Sequence, residues 1–195
     1  ATGEHGNIFD FVMKTQNLRF GETVKYLASI AGMKPYIFSK QDEEREKDWN
    51  NYKEIYKNYV EYYHNELLNN NSSSEAKSYI KNRGLKLEDV QNFKIGFVTK
   101  EIDFYEFLLK KFDKTDINNS GIFYFDEKKQ KHINRFRERI IFPIKNISGD
   151  VIAIGGRSIK ENNFSAKYIN SPETQFFKKG SNLYNLDKSR KLSNK

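Results

Sequence analysis

The chain has 195 residues, 37% of them hydrophobic and 15% aromatic, which is enough apolar side chain for a real core and excludes a disordered chain. Its formal net charge of +8 favours an anionic partner, nucleic acid first and an acidic membrane surface second. With no cysteine there is no disulfide framework and no thiolate metal site within these residues, and no apolar run approaches the roughly 18 residues of a membrane span.

The opening "GEHGNIFDFVMKTQNLRFGETVKYLASIAGMKPY" reads as two short helices, with Ile8, Phe9, Phe11 and Val12 on one face of the first. Val24, Leu27, Ala28 and Ala31 form a face of the second, which Gly32 and Pro35 end. The charged run "SKQDEEREKDW" suits a linker or a solvated helix start. From about Trp49 to Leu68, tyrosines and aliphatic residues recur at helical spacing, giving a long amphipathic helix whose Tyr stripe belongs to a core. "NNNSSS" breaks the chain before a Ser-capped helix at 75–82 that stops at Arg83-Gly84. "KLEDVQNF" is a short helix, "KIGFV" a strand and "IDFYEFLLKKF" another amphipathic helix. After "NNSG" the period becomes two, in "IFYF", "RERIIFPIKN" and "DVIAIGGRSI", with "SG" turning the last two into a hairpin. The expected fold class is α+β: N-terminal helices, then a small mixed or antiparallel sheet with flanking helices.

Charge is uneven along this order. Lys128 to Lys195 hold sixteen Lys/Arg against five Asp/Glu, a net of +11, while the first 127 residues net −3. In an extended segment alternate side chains share a face, so Arg135, Arg137 and Arg139 would point one way and Phe136 the other. Guanidiniums so placed repel one another unless anions sit among them, and Arg grips phosphate oxygens bidentately. A solvated strand face beside Glu138 is the alternative. Arg157 tips the balance, since it follows Gly155-Gly156, where a missing Cβ lets a ligand or a backbone come close. Lys167, Lys178 and Lys179 form a further basic group, among which Tyr168, Phe176 and Phe177 either stack on bases or pack. The histidines His5, His64 and His132 are scattered and read as surface or packing residues. No Asp-x-Asp pair, Walker loop or Ser/His/Asp spacing is present. The residues describe a phosphate-binding surface without its own catalytic metal site.

Three stretches, "RFRERIIFPI", "GDVIAIGGR" and "KYINSPETQFFKKGSNLYNL", in this order and spacing, closely resemble bacterial DnaG-type replicative primases. "YIKNRGL" with "VQNFKIGFV" is similar to the start of that family's RNA polymerase core, and the opening helices look like the tail of its zinc-binding domain. The resemblance implies short RNA primers made on single-stranded DNA from ribonucleoside triphosphates, a nucleotidyl transfer assisted by divalent metal. It carries the family's basic residues onto Arg83, Arg135, Arg137, Arg157, Lys167 and Lys179, which would bind template or nucleotide; no catalytic residue falls in this chain. Implied partners are the DNA template, ribonucleoside triphosphates, the RNA–DNA hybrid and a replicative helicase, the last through a separate domain, with no membrane. The implied location is cytoplasmic, at the nucleoid and replisome.

Where that family's zinc ribbon ends in cysteine, this chain has Thr2, so no Zn2+ ligand is assigned. The Toprim subdomain, whose acidic residues would hold Mg2+ or Mn2+, is expected only after Lys195. The chain is therefore expected to be a primase fragment. Residues 1–38 would be the helical tail of the zinc-binding domain, 39–50 a charged linker, and 51–195 the N-terminal subdomain of the polymerase core. The alternative is a non-catalytic protein that binds single-stranded nucleic acid.

Overall fold

A computed structural model describes residues 6–16, 18, 20–34, 39–99, 104–146, 148–160, 166–182, 184–185 and 189. Thr2, His5 and Pro35, singled out above, lie outside the described residues. The chain divides into two compact units, residues 1–47 and 48–195.

In the first unit, α1 (Ile8–Gln16) and α2 (Phe20–Ile30) form a helical pair. Asn7 starts α1: its Oδ1 accepts the N–H groups of Phe9 and Asp10, and Asp10 returns a carboxylate oxygen to the Asn7 N–H at 2.8 Å. Gly32 ends α2 at φ +65°, with Met33 N–H on Ala28 C=O and Gly32 N–H on Ser29 C=O. Phe9 and Phe20 bring their rings to 5.8 Å. Val12 is buried, whereas Ile8 and Phe11 are exposed.

Helix α3 (Lys40–Asn69) is longer than its apolar pattern. The charged stretch after Ser39 is helical from Lys40, because Ser39 and Asp42 cap each other's backbone N–H groups at 3.2 and 3.0 Å. The division between the units falls inside this helix, at Lys47/Asp48.

In the second unit α3 buries Tyr52, Ile55, Tyr56, Tyr59, Val60, Tyr63 and Leu67. Its tyrosine hydroxyls find partners deep in the fold. Tyr52 donates to Ile152 C=O at 2.7 Å, Tyr56 to Ser120 C=O at 2.8 Å and Tyr59 to Asn134 Oδ1 at 2.9 Å. The stripe thus bolts helix to sheet as well as filling the core. After a 3-10 turn at Asn71–Ser73 come α4 (Ser74–Asn82) and α5 (Leu87–Asn92). Ser73 stands at the α4 N-cap position, yet its hydroxyl donates to Glu66 C=O at 3.0 Å and caps nothing. Gly84, at φ +79°, ends α4 as expected.

Strand β1 (Gly96–Val98) is followed by α6 (Phe104–Leu109) and α7 (Lys114–Asn119), the latter a short polar helix that the sequence pattern does not reveal. Then come β2 (Phe123–Asp126), β3 (Lys131–Asn134), β4 (Arg139–Lys145), β5 (Val151–Ser158) and β6 (Tyr168–Asn170). One antiparallel sheet has the order β1-β4-β5-β6; β2 and β3 form a separate two-stranded ribbon. Gly149, φ +91°, turns β4 into β5. The α+β expectation holds, and the strand pairs among the described residues are antiparallel. Among the described residues no helix is long and apolar enough to cross a membrane.

One expectation is corrected here. Arg135 to Glu138 are not strand; they form a turn between β3 and β4. Asn134 Oδ1 takes the Phe136 N–H at 2.9 Å, Arg139 N–H reaches Phe136 C=O, and Glu138 sits at φ +56°. The fully buried ring of Phe136 drives this. It must swing under β5, which an extended chain would not allow.

Candidate nucleic-acid interface

Because of that turn, the three arginines do not share a strand face. Arg135 and Arg137 are exposed, on either side of the buried Phe136. Arg139 is itself buried, 8% exposed, with Nη1 donating to Lys167 C=O at 3.3 Å. Burial pulls its pKa down. Arg139 therefore fastens the entry to β6 instead of facing a ligand.

The two glycines before Arg157 are also reassigned. A Cβ on Gly156 would stand 2.6 Å from Phe136 Cδ1 and 3.3 Å from Arg139 Cδ, and one on Gly155 would stand 3.3 Å from Asn170 Oδ1. The space they leave is filled by this chain's own side chains, so they shape the support under Arg157 and do not admit a ligand.

Arg157 itself is held between aromatic rings. Its Cζ lies 5.3 Å from the centroid of Tyr79, on α4, and 4.8 Å from that of Tyr168, on β6. Arg83, one residue past α4, places its Cζ 5.3 Å from the same Tyr79 ring and donates Nε–H to the Tyr79 hydroxyl at 3.2 Å. Helical spacing explains the pair, since residues four apart lie on one face. The register Arg157↔Tyr168 explains the other contact. Two segments far apart in sequence, α4 and the β5–β6 pair, so converge in a ladder of Arg83, Tyr79, Arg157 and Tyr168. Cation–π contact offsets part of the repulsion between the guanidiniums. The Nε of Arg157 is buried without a hydrogen-bond partner, and a buried charged donor left so carries a desolvation cost that an anion can relieve.

Lys167 is exposed beside Tyr168, its backbone C=O tied by Ser158 N–H at 2.9 Å and by Arg139. Of the six basic positions expected from the sequence, Arg83 and Arg157 thus meet on one ring, and Lys167 precedes Tyr168 in the chain. Arg135 belongs to a neighbouring pair, its Cζ 5.3 Å from the Tyr124 ring. Arg137 and Lys179 are exposed and reach neither tyrosine of the ladder; Lys179 opens a 3-10 turn with its N–H on Glu173 Oε1 at 2.9 Å.

Among the aromatics left open by the sequence, Phe177 is buried and Phe176 packs on Trp49 and Tyr52 at 5.1 and 4.8 Å. Tyr168 is 59% exposed and does neither: it flanks Arg157. Tyr79 was not legible as a site residue; its position four residues before Arg83 on α4 is the signal that could have found it. His64 is a packing residue, its Nδ1 2.7 Å from Ile95 C=O, and His132 stacks on Tyr105 at 3.9 Å. Among the described residues no group of three or more His, Asp or Glu could hold a metal ion, so Mg2+, Mn2+ and Zn2+ have no ligand set among them.

Comparison with known proteins adds to this geometry. The family described as "DNA primase catalytic core, N-terminal domain" matches residues 62–190. The chain is 35% identical over 187 residues to the DNA primase of Clostridium acetobutylicum, covering 95% of this chain and 30% of that protein. It is 34% identical over 199 residues to the DNA primase of Salmonella typhimurium, with 98% and 33% covered. Among solved structures, a DnaG primase catalytic domain bound to single-stranded DNA aligns at TM-score 0.65 and 29% identity, over 74% of this chain and 46% of that one. The Aquifex aeolicus primase, comprising zinc-binding and RNA polymerase domains, aligns at TM-score 0.65 and 27% identity over 96% of this chain and 44% of its own. The chain thus spans about a third of the length of these primase relatives.

Proposed function

This chain belongs to the family of DNA primase catalytic core N-terminal domains, and from that premise we propose that it is the segment of a primase that holds single-stranded DNA template and incoming ribonucleoside triphosphates. The whole enzyme, a nucleotidyltransferase of the replisome in the cytoplasm, makes short RNA primers on that template. The ladder of Arg83, Tyr79, Arg157 and Tyr168 carries the reading, because within it Arg157 keeps a buried Nε with no partner. A phosphate supplies the acceptor that this group lacks. Arg135, Arg137, Lys167 and Lys179 add exposed positive charge around it.

In this reading residues 1–38 are the helical tail of a zinc-binding domain. Support comes from coverage: the Aquifex structure that includes such a domain matches 96% of this chain, against 74% for the catalytic domain alone. The divalent metal supplies charge stabilisation at the transferring phosphorus from a Toprim subdomain, and a replicative helicase contacts a further domain. This chain's residues bind and orient.

The test is fluorescence anisotropy with a fluorescein-labelled single-stranded oligonucleotide over a range of salt. The chain should bind, with affinity falling as salt rises, and each phosphate contact removed should lower the log–log slope by about 0.7. Arg157→Ala and the double change Arg135→Ala/Arg137→Ala should each weaken binding several-fold. Unchanged affinity in both variants would overturn the assignment.

A further inference from the structure

The β2–β3 ribbon carries basic and aromatic groups that the ladder does not use. Tyr124 is 40% exposed. Register sets Tyr124 opposite Ile133 and Asp126 opposite Lys131, so Tyr124, Lys131 and then Arg135 share one side of the ribbon. On the other side Phe123 and His132 pack against Tyr105 at 5.2 and 3.9 Å while Phe125 is 49% exposed, and Ile133, opposite Tyr124, is buried beneath the near side. Lys128 and Lys129 are exposed at the tip. Two acids stand beside them: Glu127 is exposed at the tip, and Asp126 is engaged in the turn, its Oδ1 accepting the Lys128 and Lys129 N–H groups at 3.0 and 3.1 Å. The other Asp126 oxygen stands 4.0 Å from Lys129 Nζ, a weak exposed pair.

We propose that this ribbon is a second contact for the same single nucleic-acid strand. Tyr124 offers its ring to one base, and Lys128, Lys129 and Lys131 hold phosphates beyond it. An exposed ring set in line with ammonium groups matches the alternation of bases and phosphates in a single strand, and base stacking on such a ring tolerates any sequence. Arg135 is the joint: it rests on Tyr124 and begins the turn whose Phe136 lies beneath Gly156, the neighbour of Arg157. From Tyr124 to the tip is about four residues, or roughly 13 Å of strand. The ribbon thus extends the binding track outward by a short stretch of nucleic acid. The inference rests on the nucleic-acid reading of the ladder.

The experiment titrates the whole chain with a fluorescein-labelled 20-residue oligothymidylate at several salt concentrations. Tyr124→Ala should weaken binding by about tenfold, and Tyr124→Phe, which keeps the ring, should bind as the parent does. Lys128→Ala/Lys129→Ala should lower the salt slope by about 1.4. Circular dichroism of each variant checks that the fold is kept. If the ribbon variants match the parent in affinity and slope while Arg157→Ala binds weakly, the ribbon proposal fails and the ladder stands. Should the ribbon variants weaken and Arg157→Ala not, the ladder reading fails instead. No binding by the parent chain overturns both, and binding of the lysine tip to anionic vesicles without binding to oligonucleotide assigns the ribbon to a membrane surface and overturns the proposal.

Discussion

Gly156 and Phe136 occupy one space: a Cβ added to Gly156 would stand 2.6 Å from Phe136 Cδ1. The fit binds the turn at 135–138 to the middle of the sheet, and it places Arg157 one residue from a fully packed point. Gly156→Ala should force the Phe136 ring to shift and cost about 1–3 kcal/mol of stability, as overpacked cores do. Urea denaturation reads this directly; a midpoint equal to that of the parent would show that the contact has room to spare.

Gly96 presents a harder case. A Cβ there would meet backbone, Tyr63 C at 2.8 Å and His64 N at 2.9 Å. Backbone inside the long helix α3 cannot swing aside as a side chain can, so β1 and α3 must separate. Gly96→Ala should therefore destabilise by about 3 kcal/mol or more, and by more than Gly156→Ala in the same denaturation series. Equal or reversed costs would mean that the approach of β1 to α3 is looser than the structure has it.

Tyr79 serves Arg83 and Arg157 at once. Its removal should loosen both arginines although Tyr79 need not touch a ligand. Tyr79→Ala should weaken single-stranded DNA binding by about fivefold, the loss of one to two modest cation–π contacts. Tyr79→Phe keeps the ring and forfeits only the hydrogen bond to Arg83 Nε, so its affinity should stay close to that of the parent. Anisotropy titrations of the two variants separate the ring from the hydroxyl. Equal weakening by both would assign the effect to the hydroxyl.

The sequence makes long, repetitive features legible and hides those that depend on a partner elsewhere in the chain. The stripe from Tyr52 to Leu67 announces α3 because more than four turns of helix repeat one rule. The β4–β5 hairpin is equally plain from its two short apolar runs and the Gly149 between them. "RFRER" misleads, since a turn around one buried Phe shows the same alternation as a strand. Its true shape depends on a hole left by Gly156, twenty residues away in sequence. Strand β3 and helix α7 are short and polar, and contacts made by the rest of the fold decide their form. Basic residues of the site could be read locally by type and by resemblance. Their grouping could not, because Tyr79 and Tyr168 meet Arg157 only once α4 lies beside β5 and β6.

The buried tyrosines of α3 make stability depend on alkaline pH. Burial, the largest influence on each, raises the pKa of Tyr52 above its ordinary 10.0 and drives those of Tyr56 and Tyr59 well above it. Tyr52 further raises the cost of ionising Tyr56, and Tyr63 does the same for Tyr59. Below about pH 10 these hydroxyls hold their protons in both folded and unfolded chains, so they contribute their full stabilisation. As pH rises past that point the unfolded chain releases protons that the folded chain still holds, and stability falls. Urea denaturation between pH 8 and 11 should show a flat region and then a decline starting near pH 10. Tyr56→Phe should make the decline shallower. At neutral pH the same change should cost about 1–3 kcal/mol, because Ser120 C=O loses a donor 2.8 Å away inside the core. Tyrosinate absorbance supplies the independent check: the signal from these three rings should appear together with unfolding. Full ionisation while the chain remains folded would mean that water reaches hydroxyls placed here in the interior.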